Sequence, residues 1–194
     1  MHNFDVMQKY YAGYLANPVD TALSPGETMN NQWYFEVGRS AVEVIMAAGS
    51  ASMLRAVNRV LDLPCGHGRV LRHLVRLFPD AAFDACDLDR DGVEFCAATF
   101  GARPIVSLAD LAAVDFGAAY DLIWVGSLFT HTSAARTRAW LAHLARFLTP
   151  QGMVVATVHG RWCEHAHKVV PYIAEERWRR ILDEYRASGY GYAD

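Results

Sequence analysis

Two glycines one residue apart follow an apolar run in the first half of the chain. Asp62, Pro64, Gly66 and Gly68 stand at alternate positions, and a pattern with helical spacing begins directly after them. Glycine adopts positive φ angles and leaves no Cβ in the way of a ligand, while the first turn of a helix has N–H groups without intrahelical partners. The stretch 60–71 therefore predicts a strand, a tight turn and a helix that together bind a nucleotide-like ligand.

This stretch resembles the first motif of the class I S-adenosylmethionine-dependent methyltransferases, in which an acidic residue precedes alternating glycines. Pro64 stands where the family has its first glycine, which is a departure from the motif. The resemblance implies S-adenosylmethionine as the cofactor, with Asp62, Pro64, Gly66 and Gly68 at the donor site. In the family, the residue at the position of Asp62 orients the amino group of the donor. An aspartate that only stabilises the turn is the alternative interpretation.

Further aspartates follow the next two predicted strands. The resemblance implies that Asp87, at the end of the second strand, accepts hydrogen bonds from both ribose hydroxyls, a task that suits a carboxylate because it accepts two donors. Asp84 is the alternative if the alignment is shifted. A cap of the following helix is the structural alternative, for which Asp89 is better placed. The resemblance also implies that Asp110, after the third strand, accepts from the adenine amino group.

The fourth predicted strand leads into a turn of small residues. The resemblance implies that this turn, with Ser127, faces the donor methyl group. His131 is the candidate general base, because methylation of a hydroxyl or an amine removes a proton and histidine titrates near neutral pH. A histidine that only hydrogen-bonds the start of a helix is equally compatible with the sequence. His159, at the end of the fifth strand, is a second candidate at the substrate.

Aromatic and charged residues ahead of the first strand are candidates for covering the ligand. Aromatic faces attract a sulfonium cation, and arginine pairs with a carboxylate. We therefore assign Tyr34 and Arg39 to a substrate or lid position, whereas core packing is the stronger interpretation of Trp33.

Two other groups of reactive side chains receive no chemical role. Cys65 lies inside the glycine turn, but no activating base is identifiable beside it, so we do not expect a nucleophile there. His159, Cys163, His165 and His167 have the chemistry of metal ligands, yet their spacing fits no zinc pattern and the stretch is predicted to be a loop. The sequence thus predicts no metal site.

Composition and charge restrict the classes of partner. The chain has 194 residues, of which 53% are hydrophobic and 20% charged, with a formal net charge of −3. These values suit one domain with a hydrophobic core, and the lack of a Lys/Arg cluster argues against a nucleic-acid partner. The Asn-Pro-Pro-aromatic and Pro-Cys motifs of base-modifying methyltransferases are absent after the fourth strand. We therefore expect a small-molecule substrate.

Cysteine usage and hydropathy indicate a location. The cysteines show no paired spacing, as is typical of free thiols in a reducing compartment; they are Cys65, Cys86, Cys96 and Cys163. No charged segment precedes a signal-like apolar run, and no apolar run approaches the length of a membrane span. We expect a cytoplasmic protein without a membrane partner.

Local patterns divide the single domain into a helical N-terminal prefix or lid, residues 1–50, and an α/β region, residues 51–194. In the prefix, Ser24, Pro25 and Glu27 form a capping-box pattern that predicts a helix start, and a further helix is predicted over 33–48. Strands are predicted near 58–63, 81–87, 103–107, 120–126 and 152–159, with helices between the first three and before the last.

The alternation of strands and helices predicts an α/β fold with a Rossmann-like, doubly wound, mainly parallel sheet and helices on both faces. Members of the resembled family continue to a final antiparallel strand pair, but only one helix-like segment, 171–187, follows the fifth strand here. We therefore predict that this pair is absent. We also predict that a homodimer contact or the prefix covers the apolar edge of the fifth strand.

Two other function classes stay open. A non-catalytic module that binds S-adenosylmethionine or a nucleotide would use the same turn. A dinucleotide-dependent oxidoreductase also begins with a strand, a glycine turn and a helix, but its first glycine would fall at Pro64 and its third at Leu71, whose side chain blocks a close helix–strand approach. The main prediction is methyl transfer from S-adenosylmethionine to a hydroxyl or an amine.

Overall fold

Strands and helices alternate after residue 58, and two helices precede them. The structure is a computed structural model that describes residues 3–171 and 173–193. The helices are α1 (Asn3–Ala16), α2 (Tyr34–Ala51), α3 (Leu71–Leu77), α4 (Arg90–Phe100), α5 (Ala134–Ala145), α6 (Trp162–Val169) and α7 (Glu175–Ser188). The strands are β1 (Arg59–Leu63), β2 (Ala82–Asp87), β3 (Arg103–Val106), β4 (Tyr120–Val125) and β5 (Leu148–Ala156), and 3-10 turns span Leu111–Ala113 and Phe129–His131.

The described strands form one parallel sheet in the order β3-β2-β1-β4-β5. From β1 the chain runs outward to β2 and β3 and then returns to β4 on the other side of β1. This reversal creates a crevice at the carboxyl ends of β1 and β4, which is where doubly wound folds bind ligands. The predicted fold class is confirmed, and no strand follows β5 among residues 157–171 and 173–193.

Successive strand residues enter two separate hydrophobic cores, because side chains of a strand alternate between its faces. Val60 and Leu122 pack with α1, α2, α3 and α4, whereas Leu61 and Ile123 pack with α5. Helices thus cover both faces. Met7 and Tyr14 of α1 are buried in the first core, so the prefix packs against the α/β region through apolar contacts.

The predicted helix start at Ser24 is wrong. Residues 24–27 form a single turn, in which the Glu27 amide donates to the Ser24 carbonyl at 3.1 Å, and the helix begins only at Tyr34. In a capping box the Glu27 carboxylate would accept from the Ser24 amide. Here it accepts instead from the Met29 amide at 2.7 Å and from the Tyr34 hydroxyl at 2.8 Å.

Two further predictions near the C-terminal end need correction. The fifth strand begins at Leu148 rather than near 152, with an irregular register against β4 between Tyr120 and Leu122. The stretch around Cys163 is helix α6 and not a loop. β5 lies at an edge of the sheet, and its cover by a second copy or by the prefix stays a prediction. Among the described residues, no helix combines the length and hydropathy needed to cross a membrane.

Candidate functional site

The loops that leave the carboxyl ends of β1, β2, β4 and β5 contain most of the predicted site residues. Pro64, Gly66 and Gly68 follow β1, and the Leu63–Pro64 peptide bond is cis. Gly66 and Gly68 have φ angles of 49° and 79°, in the left-handed region that favours glycine. The predicted tight turn is therefore present.

The two glycines of this turn serve different purposes. A Cβ at Gly66 would meet no atom within 4 Å, so Gly66 borders open space at the crevice. A Cβ at Gly68 would lie 2.4 Å from the Phe100 ring, so Gly68 is required by packing against α4. A ligand can therefore approach the backbone at Gly66.

The carboxylate of Asp87 braces the glycine turn. Its Oδ2 accepts from the Gly66 amide at 2.7 Å, and its Oδ1 accepts from the Asp89 amide at 3.0 Å. Asp89 is the residue that caps α4, because its side chain accepts from the Asp91 amide. The structure thus brings Asp87 and Gly66 together and gives the capping role to a different residue.

Asp84, the alternative to Asp87, bonds to side chains at the amino ends of β1, β3 and β4. It is fully buried and pairs with Arg59 at 2.8 Å and with Arg103 at 2.6 Å, while Tyr120 also donates to it. Burial opposes ionisation, but the hydrogen bonds from Arg103, Arg59 and Tyr120 outweigh it and lower the pKa of Asp84. Asp84 is therefore a structural residue without free acceptor capacity for a ribose.

Asp62 is a buried carboxylate without compensation. It is 1% exposed, and neither oxygen has a hydrogen-bond partner among the described residues. Burial, followed by repulsion from Asp87, raises the pKa of Asp62 to about 8, and the nearby Leu71 amide and Arg69 offset this only in part. Such a group is costly unless a cation or donor joins it.

The turn after β4 joins the ends of three strands. The Gly126 amide donates to the Leu63 carbonyl of β1 at 3.1 Å, and the Ser127 amide donates to the Thr157 hydroxyl after β5 at 2.7 Å. Ser127 has a φ of 58°, which is uncommon for a residue with a side chain. Backbone in such a conformation is held by its surroundings and is typical of functional sites.

A cavity of about 580 Å³ opens next to this turn, between the loops after β4 and β5 and helices α6 and α7. His131 and His159 both line it, so the structure brings the two candidate histidines to one cavity. The rest of the wall is mainly apolar and includes Phe129, Trp178 and Tyr185. The glycine turn is not part of the wall, so the cavity and the crevice at Gly66 are separate parts of one edge.

The last described residues hold the wall of this cavity in place. The Tyr190 hydroxyl donates to the Thr132 carbonyl at 2.8 Å and to the Phe129 carbonyl at 3.2 Å. The Tyr192 hydroxyl donates to the His131 carbonyl at 3.2 Å. The segment after α7 is thereby tied to the 3-10 turn that carries His131.

Several nucleotide-binding families bind their ligands at the carboxyl edge of such a sheet, and comparison with known families distinguishes between them. A family model described as a methyltransferase domain matches residues 61–154, a range that contains the glycine turn, Asp62 and Asp87. Over this range, just under half of its length, the chain is similar to a methyltransferase domain. The matched range ends in β5, so α1, α2, α6 and α7 lie outside it.

Solved structures show the same fold. The plantazolicin methyltransferase BpumL in complex with SAH matches at 16% identity with a TM-score of 0.59, over 96% of this chain and 68% of that chain. Its complex with a monoazolic desmethylPZN analog and SAH gives 18% identity and 0.59, over 93% and 63%. DesVI of Streptomyces venezuelae gives 18% and 0.49, over 78% and 55%.

The chain therefore spans between about half and two thirds of the length of these proteins. A comparison with curated protein sequences gives no significant match.

Three further predicted site residues have partners within the chain. Asp110 accepts from the Ala112 amide at 3.1 Å and from the Trp140 indole at 3.0 Å, and these bonds lower its pKa. Tyr34 is buried, and its hydroxyl donates to Glu27. Arg39 lies on the exposed side of α2, paired with Glu36 and Glu43. The adenine and lid roles given to them stay predictions.

Two residues near the glycine turn were missed by the sequence reasoning. Arg72 is 2% exposed and donates to the Gly68 carbonyl at 3.0 Å. Gly92 lets α4 approach the turn, because a Cβ there would lie 2.4 Å from the Gly66 carbonyl oxygen. The close approach that a Rossmann motif obtains with its third glycine is thus made by α4. No local pattern marks either residue, because both contacts join distant segments.

The remaining reactive side chains show no arrangement for catalysis or metal binding. Hydrogen bonding with Cys96 and burial raise the pKa of the Cys65 thiol, which keeps it protonated. Cys163, His165 and His167 lie on α6, where alternate residues do not share a face. Within residues 3–171 and 173–193, no three His, Cys, Asp or Glu side chains form a group that could hold a metal ion.

Proposed function

We propose that this chain transfers a methyl group from S-adenosylmethionine to a hydroxyl or an amine of a small molecule that carries an aromatic ring. The observation that carries the proposal is the open position at Gly66, which lies between an uncompensated buried carboxylate, Asp62, and the half-buried carboxylate of Asp87. The match to a methyltransferase domain supports the donor, and the aromatic cavity beside the same edge supports the acceptor.

The residues present fit the donor. The ammonium group of S-adenosylmethionine would supply the positive charge that Asp62 lacks, and Asp87 has acceptor capacity for the ribose hydroxyls. Leu88, which follows the buried strand β2, is 64% exposed, and Leu108, which follows the edge strand β3, is 53% exposed. Apolar side chains exposed beside Asp87 are suited to the two faces of an adenine ring.

The cavity fits an acceptor of modest size. Its volume of about 580 Å³ lies within the range of small-molecule pockets. Phe129, Trp178 and Tyr185 offer aromatic faces, which pack best against another ring. The free Cys65 and Cys86 support a reducing compartment such as the cytoplasm for this reaction.

The chain's own residues would act mainly by positioning. S-adenosylmethionine supplies a methyl group on a sulfonium sulfur, an electrophile that needs no further activation. The strand-end loops would hold the donor, the cavity would hold the acceptor, and the Ser127 turn, which joins the ends of β1, β4 and β5, would lie where the two meet. The His131 imidazole lines the cavity and would accept the proton of the acceptor hydroxyl or amine.

Donor binding is tested by a matched pair of glycine variants. Gly66→Ala and Gly101→Ala both place a methyl group at a positive φ with no atom within 4 Å, but only Gly66 borders the crevice. We expect a stability loss of about 1 kcal/mol in each variant from the left-handed backbone. S-adenosylhomocysteine should bind Gly66→Ala at least about tenfold more weakly, and Gly101→Ala as the wild type does. Calorimetry with equal affinities for all three proteins would contradict the proposal.

The catalytic role of His131 is tested by turnover with a labelled methyl donor and a set of phenols and aromatic amines. His131→Gln should lower kcat about a hundredfold, because the base is lost. His159→Gln is the control, since it changes the other histidine of the same cavity. An unchanged kcat in His131→Gln would leave His131 as a wall residue of the cavity only.

A further inference from the structure

A segment without regular secondary structure, residues 17–33, connects α1 to α2 and lies against the glycine turn. The closest approach is at Gly26, where a Cβ would lie 3.0 Å from Nε2 of His67 in the turn. His67 itself is 8% exposed and lies 3.8 Å from Asp89 at the start of α4. The segment therefore covers the side of the turn that faces α4.

Arg72 on α3 joins this segment to the turn. Its Nη1 donates to the Asp20 carbonyl at 2.9 Å and to the Ala22 carbonyl at 2.8 Å, both within the segment. Its Nε donates to the Gly68 carbonyl at 3.0 Å, and its Nη2 to the His67 carbonyl at 3.4 Å. One buried guanidinium thus bonds to both pieces of backbone.

The acceptors around Arg72 are uncharged, which makes the connection energetically important. A buried cation is costly unless its donors are satisfied, and guanidinium has five N–H donors in a fixed fork. The Tyr34 hydroxyl accepts at 3.3 Å, and the guanidinium carbon lies 5.3 Å from the Tyr34 ring centre and 5.2 Å from that of Phe100. If the segment moved away, two of the carbonyl bonds would be lost and the cation would be undersatisfied.

We propose that Arg72 is a positioning residue that latches residues 17–33 onto the glycine turn and so keeps the side of the turn that faces α4 covered, while Gly66 stays open to the donor. The inference rests on the proposed function for the identity of the donor, but the latch itself is a property of the unliganded chain. The Glu27 carboxylate, which accepts from Tyr34, gives the segment a second tie to α2 at a point adjacent to Arg72.

The test compares two conservative variants on the same helix. Arg72→Lys keeps the charge but replaces the planar fork with a point donor that cannot reach both carbonyl pairs. Arg76→Lys is the control, because Arg76 also contacts the prefix, with its guanidinium 4.2 Å from the Tyr14 ring centre, but does not bond to the segment or the turn.

Hydrogen exchange of the unliganded proteins measures whether residues 17–33 stay bound to the turn. Displacement of labelled S-adenosylhomocysteine measures how fast the ligand leaves the donor site. In Arg72→Lys we expect amides of residues 18–33 to exchange at least about tenfold faster, with β1 and β4 unchanged, and the ligand to dissociate about tenfold faster. A residue that only stabilises the core would lower Tm without changing ligand dissociation, as we expect of Arg76→Lys.

The possible outcomes distinguish a failure of the Arg72 latch from a failure of the proposed function. Unchanged exchange in 18–33 overturns the latch, whatever the ligand result. Faster exchange with unchanged ligand dissociation overturns the covering role. A wild type that binds no S-adenosylhomocysteine overturns the proposed function, while the exchange result still decides the latch. Should Arg72→Lys fail to fold, wild-type exchange in 18–33 that does not slow on ligand binding overturns the inference.

Discussion

Two buried aspartates lie one register step apart on β2 and β1, and they are treated in opposite ways. Asp84 is bonded by two arginines and a tyrosine from the amino ends of their strands, which lower its pKa. Asp62, one step nearer the carboxyl end, has no hydrogen-bond partner among the described residues, and its pKa is raised to about 8. Residue type and burial are the same, so only the partners differ.

This contrast separates stability from function within one sheet. A buried carboxylate that the protein neutralises itself holds strands together, as Asp84 holds β1, β2, β3 and β4 through Arg59, Arg103 and Tyr120. A buried carboxylate left unpaired costs stability and persists where a ligand supplies the missing charge. The Asp84 carboxylate is therefore satisfied by the protein alone, whereas under the proposed function the donor would satisfy Asp62.

The largest expected effect is on stability at the amino end. Asp84→Ala should lower the free energy of unfolding by about 3 kcal/mol, because two arginines lose their anion. The loss stays at the lower end of the usual range since Arg59 and Arg103 are 32% and 44% exposed and regain water. Urea denaturation measures it, with the exposed Asp80→Ala as control. A folded Asp84→Ala with weakened donor binding would break the comparison.

The next effect is on donor affinity at the carboxyl end. Asp87→Ala should weaken S-adenosylhomocysteine binding by about 1–3 kcal/mol, the range for losing hydrogen bonds to a charged group. Asp89→Ala is the matched control, since it removes only the cap of α4 and should cost stability rather than affinity. Titration calorimetry in which both variants lose the same affinity would reduce Asp87 to a brace of the glycine turn.

A further effect is a pH dependence that arises from Asp62. Its folded pKa lies above the ordinary carboxyl value of 3.8, so the unliganded protein prefers the neutral form and loses stability as pH rises from about 4 toward 8. Asp62→Asn should therefore be more stable than the wild type at pH 7, with a difference that grows across this window. Chemical denaturation at several pH values measures it.

Ligand binding gives a second test of the protonation of Asp62. A donor ammonium beside Asp62 favours the carboxylate, so binding at pH 7 should release a proton in the wild type and none in Asp62→Asn. Calorimetry in buffers of different ionisation enthalpy detects the release. Equal binding enthalpies in all buffers for the wild type would mean that Asp62 is not the group that meets the ammonium.

Much of the carboxyl edge of the sheet was predictable from local sequence patterns, and the predictions that were wrong have a common cause. The glycine turn and Asp87 follow from residues that are close in sequence, and strand alternation brings them together. The helix start at Ser24 was wrong because Glu27 bonds to Tyr34 rather than to its own turn. Whether Tyr34 or Arg39 covers the ligand is likewise a matter of long-range contacts, which here bury the first and leave the second paired on the surface of α2.

The sequence by itself determined the parallel α/β sheet, the left-handed turn at Gly66 and the aspartates at the strand ends, because periodicity and glycine spacing act through the local backbone. Only the tertiary structure decided which aspartate is neutralised, that Arg72 joins residues 17–33 to the turn, and that His131 and His159 share a cavity. These features depend on the burial and pairing of groups far apart in the chain, and a partner at that distance leaves no periodic trace in the sequence.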